Sequence, residues 1–215
     1  MVQLFLIDGL IAALSLLLWY VCFSHYNRRI GDATLKLVET ACLGRGRITD
    51  AHWHGASRLK AHLIFASHWV GDAYVTVNLL PRHIPVHWLL AIFRKQKETL
   101  TLEANLDCAP GFQLEIHRHQ WLTRKVELND SRKWMVSRPG PIVLTTRTKW
   151  GNDLTPVVNA LMSSSGHSLI SVRFRCDAPH LTATVPLEAV SGEESSVAFL
   201  EVVRELAASA STSKQ

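Results

Sequence analysis

Residues 2 to 23 read VQLFLIDGLIAALSLLLWYVCF, a run whose only charge is Asp8 and whose part from Leu10 to Phe23 has none. Coiled as a helix at about 1.5 Å per residue, it covers the roughly 30 Å hydrocarbon layer of a bilayer. It predicts a transmembrane helix. A cleaved secretory signal fits less well, because no Lys or Arg precedes the apolar run and SHYNRR, without a small-x-small site, follows Phe23. A buried core helix is disfavoured too, since Trp19, Tyr20, His25 and Tyr26 gather at one end of the run as interfacial aromatics do. Beyond that end come Arg28, Arg29, Lys36, Arg45 and Arg47, against only Gln3 and Asp8 at the other. By the positive-inside rule this predicts a single-pass protein of the inner or plasma membrane, amino terminus outside and soluble domain cytoplasmic.

Inside the run, Asp8 either reaches the headgroups or pairs with a neighbouring helix. The small residues Gly9, Ala12, Ala13 and Ser15 around it would let such a helix approach closely. Asp8, Gly9, Trp19, Tyr20, Arg28 and Arg29 are therefore expected membrane or partner contacts.

Outward from the anchor the composition is that of a folding chain. Of 215 residues 47% are hydrophobic and 19% charged, with 11 Gly and 8 Pro, which excludes collagenous, low-complexity and wholly disordered classes. The expected organisation is an anchor with a basic flank over 1–30, one soluble domain over 31–208 and a flexible tail over 209–215. Asp32 to Gly44 reads as a helix with Asp32 as N-cap and Gly44 as stop. Period-2 alternation predicts strands at Arg47–Trp53, Ala61–His68, Ala73–Leu80, Thr99–Leu106, Phe112–Arg118, Trp121–Leu128 and Ile142–Thr148, and further strands at Ser168–Arg175 and His180–Val185. A short helix from Asp153 and a terminal helix over Glu193–Ala208 complete the pattern. The class is α+β: an N-terminal transmembrane helix followed by a mainly antiparallel β-sheet domain with a few short helices.

One segment stands apart. In IPVHWLLAIFRKQK, residues 84 to 97, ten mostly apolar residues precede Arg94, Lys95 and Lys97. The run is too short to span a bilayer. With Trp88 inside it and cations at its end, it fits a segment lying among headgroups or against a partner's membrane helices, the plain alternative being a buried core element. Trp88, Arg94 and Lys95 join the expected contacts.

Motifs for chemistry are scarce. The pairs His52/His54 and His117/His119 have i, i+2 spacing, which on adjoining strands could gather four imidazoles around zinc or copper. HxH is a short pattern, and no Asp, Glu or Cys stands at a regular offset from it. His25, His83 and His87 lie near the membrane boundary, where a haem or chlorophyll ligand could stand, with nothing further to support one. GxSxG, P-loop, GxGxxG, HExxH and CxxC are all absent, so no catalytic residue, metal or cofactor is expected. Glu103, Glu115 and Glu127 are expected on the solvated face of the sheet. The four cysteines read as free thiols. Arg118, Arg124, Lys125, Arg132, Lys133 and Arg138, with Trp121 and Trp134, form a basic aromatic stretch that suits anionic lipid headgroups as well as phosphate backbones. Tethering beside a membrane explains it without nucleic acid.

The order of an anchor, a short helix ending in LGRGR, a β-rich middle, WGNDLTPVVNALM, the strands SLISVRFRC and HLTATVPLE and the closing helix SSVAFLEVVRELAAS resembles a group of bacterial single-pass membrane-anchored proteins of unknown function. In architecture it is also loosely similar to the H subunit of photosynthetic reaction centres. The resemblance implies no site residue. The anchor, the seven tryptophans and the apolar Ile84–Phe93 segment direct the functional expectation to a non-catalytic accessory or assembly subunit of a larger integral membrane protein complex, of photosynthetic or respiratory type, since Trp and Arg are enriched where interfaces are strongest. The alternatives are a membrane-tethered module binding anionic lipid or a small ligand and, third, a histidine-based metal-dependent enzyme.

Overall fold

The structure, a computed structural model, describes residues 2–42, 46–66, 70–118, 135–137, 142–146, 157, 159 and 170–212. Its longest element is α1, Val2–Ala41, a helix about 60 Å long. It passes through the expected boundary at residue 30, so Asp32 lies in mid-helix where an N-cap was expected. The reason is in the packing: Asn27, Gly31, Thr34, Val38 and Cys42 form one buried face at spacings of three and four. Gly31 opens no turn; it lets α1 close on the sheet. A Cβ at that position would stand 2.5 Å from Cη2 of Trp53.

Among the described residues nine strands form one antiparallel sheet: β1 Gly46–Trp53, β2 Arg58–Phe65, β3 Val70–Asn78, β4 Thr99–Leu106, β5 Leu114–Arg118, β6 Met135–Ser137, β7 Ile142–Thr146, β8 Ser171–Phe174 and β9 Leu181–Pro186. Their order is β1-β2-β3-β4-β9-β8-β5-β7-β6. The first four form a meander, and the β8–β9 hairpin is inserted between β4 and β5. Most strands fall within a few residues of their expected places, whereas β6 was not expected. The predicted strand Trp121–Leu128 lies outside the described residues, as does most of the helix predicted from Asp153.

Alternation along the strands separates two faces. Leu59, Leu63, Val75, Leu102, Leu114, Phe174 and Leu181 point to one side, where α1 and the C-terminal helix cover them. That helix, α3, spans Glu193–Thr212 and buries Phe199, Val203, Leu206 and Ala210. The helix continues past residue 208 to Thr212. The other side carries polar rows set by the register: Lys60, Thr76, Thr101, Thr184, Ser171 and His117 in one, and His62, Tyr74, Glu103, Thr182, Arg173 and Glu115 in the next.

Between β3 and β4 stands α2, Pro85–Phe93, with Pro85 in its first turn. Its C-terminus closes in a Schellman arrangement, Gln96 N–H donating to Ala91 O and Lys95 N–H to Ile92 O, both at 2.9 Å. Only Ala91 of this helix is buried. The core-element reading of this apolar run therefore does not hold: its apolar side chains are mainly outside.

Candidate functional site: the collar between anchor and domain

From Gln3 to Leu18 every described side chain of α1 is exposed, and the described apolar part of the helix has a mean hydropathy of 2.1. It is long and apolar enough to cross a membrane. A signal sequence passes the same test of length and hydropathy. Here, however, the same unbroken helix supplies the buried face from Asn27 onward, so its second half belongs to the domain fold.

Where the exposed half ends, aromatic rings form a collar. Trp19 packs against Phe23 with centroids 4.4 Å apart, and Trp88 of α2 meets both, at 5.9 and 6.1 Å. The indole N–H of Trp19 donates to the Arg82 carbonyl at 2.9 Å, and Tyr20 lies edge-on to His83. Phe23 and Tyr26 continue the cluster one turn further. Such rings favour the boundary between hydrocarbon and headgroups.

Beneath the collar a polar clamp fixes α2 to α1. Asn27 is fully buried; its amide donates to the carbonyls of Ala56 at 3.1 Å and Leu80 at 3.0 Å, while its oxygen accepts from Arg82 Nη1 at 3.3 Å. The same Arg82 nitrogen donates to Glu98, whose Oε1 also accepts from the Leu80 N–H at 3.1 Å. Arg82 precedes α2 and Glu98 follows it, so both ends of the α2 insertion are tied to one helix turn of α1. A cleft of about 450 Å³ opens on the far side of this clamp, between Ile30, Leu37, Leu80 and Val190. Its charged residues pair off, Arg82 with Glu98 and Lys97 with Glu188, so it offers no free charge to a ligand.

The expected contact residues fall into two groups. Trp19, Tyr20 and Trp88 are brought together in the collar, while Arg28, Arg29, Arg94 and Lys95 are exposed. Asp8 and Gly9 lie apart from them on the exposed half of α1, where nothing stands within 4 Å of a Cβ placed on Gly9. The histidine pairs do not assemble. His52 is on edge strand β1, His117 on β5, and five strands lie between them. His54 sits just past β1, and His119 lies outside the described residues. Among the described residues no group of three or more His, Cys, Asp or Glu could hold a metal ion.

Two polar clusters escaped the sequence. On the β1–β3 edge, Thr49 Oγ1 is 3.0 Å from His62 Nδ1, and His62 Nε2 is 3.3 Å from Asp72 Oδ1. The register shift between Ile48 and Asp50 turns Thr49 toward that ring. The order of groups resembles a nucleophile relay, but the chain is exposed and water competes for each bond. On the polar face, His117 Nε2 stands 3.7 Å from Glu115 and Arg173 Nε 3.1 Å from it. His117 first, then the Arg173 and Arg175 charges, hold the Glu115 carboxyl below the usual range, with burial acting in the opposite direction. At 3.7 Å His117 is too far for a good hydrogen bond, and Arg173 Nε, nearer at 3.1 Å, pairs by charge and not by an aligned hydrogen bond.

A depressed folded pKa adds stability above the unfolded carboxylate value and loses it as pH falls through the folded one. Melting of the wild type is therefore expected to decline below about pH 4.3, and Glu115→Gln to flatten that acid limb. Equal slopes for the two proteins between pH 6 and pH 3 would contradict the assignment.

No family model and no curated protein matches the chain.

Proposed function

We propose that the chain is a non-catalytic accessory subunit of a membrane protein complex, held by one transmembrane helix with its domain against the cytoplasmic side. The observation that supports this most is the continuity of α1: one helix carries the exposed apolar span and the buried Asn27–Val38 face, so a contact made within the bilayer fixes the position of the domain. Asp8 and the small residues Gly9, Ala12 and Ala13 provide a face on which another helix can pack. Arg28 and Arg29 just beyond the collar support the cytoplasmic orientation by the positive-inside rule.

The test is recovery through a tag at Gln215 from native membranes in mild detergent. An integral membrane protein is expected to co-purify in fixed ratio, and Asp8→Leu with Gly9→Leu is expected to reduce its yield several-fold. A chain that runs alone at native expression would sink the proposal.

A further inference from the structure

We infer that α2 is a second membrane contact: an interfacial helix that lays its apolar stripe into the same leaflet boundary that α1 crosses. The inference rests on the reading of α1 as a membrane span.

The stripe is Val86, Leu89, Leu90 and Phe93, at the i, i+3, i+4, i+7 positions of one helical face. These side chains are 73%, 53%, 44% and 76% exposed, and Ile92 adds 48%. A water-facing helix would carry polar residues there. The depth of α2 follows from its contacts with α1. A hydrocarbon layer of about 30 Å takes about 20 helical residues, so a span beginning near Phe5 ends near residue 24. Trp88 touches Trp19 and Phe23, which lie in the last turns of that span. The Asn27–Arg82–Glu98 clamp holds α2 at that level. The exposed stripe thus stands at the level where the exposed apolar half of α1 ends, and lipid, the occupant of that level on the reading of α1 as a span, is the one that fits it.

Charge agrees. The helix is followed directly by Arg94 and Lys95, both exposed. Lys95 occupies the left-handed position of the Schellman turn, φ 50°, where glycine is unstrained. A lysine at that position puts a cation at the headgroup level, where anionic lipid attracts it.

The test uses the full chain with Cys22→Ser, Cys108→Ser and Cys176→Ser. Cys42 is retained, because burial pushes its thiol up to about 11 and it is shielded from reagents. A nitrobenzoxadiazole label is attached at Phe93→Cys, Ile11→Cys or Lys36→Cys, and each protein is reconstituted into vesicles of phosphatidylcholine and phosphatidylglycerol. Labels at 93 and 11 are expected to be quenched by acyl-brominated lipid and shielded from aqueous iodide, with the reverse at 36. The vesicles hold no other protein, and bromolipid quenching at 93 separates cover by lipid from cover by a second copy of the chain, which would shield 93 from iodide without that quenching. Adding Val86→Ser and Leu89→Ser, both at exposed positions, is expected to lower bromolipid quenching at 93 at least two-fold and leave position 11 unchanged. Iodide reaching 93 as freely as 36, with 11 still shielded, would overturn the inference alone. Iodide reaching 11 as well would remove the membrane reading beneath it.

Discussion

Asn27→Leu is expected to destabilise the domain by about 3 kcal/mol, although the two side chains are similar in size. The native amide is fully buried and donates to two carbonyls, those of Ala56 and Leu80. Leucine fills the space but satisfies neither, and each buried acceptor left unpaired costs about 1–3 kcal/mol. Arg82 also loses one acceptor, though it keeps Glu98. Asn27→Asp is expected to do at least as much harm, because a carboxylate has no proton to donate and would face the same two carbonyl oxygens. Denaturant unfolding of the full chain in detergent micelles measures both. A midpoint shift worth less than about 0.5 kcal/mol, the ordinary range for surface changes, would show that the clamp does not hold α1 to the domain.

Removing residues 1–18 is expected to have the opposite profile: complete loss of carbonate-resistant membrane association with almost no loss of stability. Every described side chain from Gln3 to Leu18 is exposed, and the hydrogen bond of Ser15 goes to Ile11 in the same helix. Deleting surface without tertiary contacts costs within about 0.5 kcal/mol, or about 1–2 °C in melting temperature for a domain of this size. The collar residues Trp19 and Phe23 remain to cover Trp88. The truncated protein is then expected to leave the membrane in alkaline carbonate, α2 alone being too small an apolar surface to resist extraction. A truncated chain that aggregates or melts more than about 5 °C lower would show that the span is part of the fold.

Much of this was legible from residue patterns. Thr99–Leu106 shows strict alternation, and the strand falls at that range because one face packs on the core and the other does not. The apolar span is equally plain from composition. Asp32 has the residue type of an N-cap, but the buried stripe from Asn27 through Gly31, Thr34 and Val38 to Cys42 crosses it without a break. Carried backward from Val38, that spacing meets Thr34, Gly31 and Asn27, none of them a large apolar residue, so their burial is set by partners far away in the chain. The exposure of α2 could not be read in the same way, because an apolar run has one composition whether buried or not. Its surroundings are set by the clamp, which joins Asn27 to Arg82 and Glu98 across 55 and more residues. The partnering of β9 with β4, and of β5 with β7 and β8, is likewise nonlocal and depends on closing long loops over a shared core.

The central claim is that one unbroken helix leads from lipid into the core of the domain. A spin-label accessibility scan over residues 3–42 in phosphatidylcholine and phosphatidylglycerol vesicles tests it most directly. Residues 5–18 are expected to collide with oxygen and stay hidden from an aqueous nickel reagent. From residue 24 onward nickel access should appear on one side only, with a period of about 3.6 and minima at 27, 31, 34 and 38, and without a phase jump at Asp32. Nickel reaching residues 5–18, or a break in the period between 28 and 34, would contradict it.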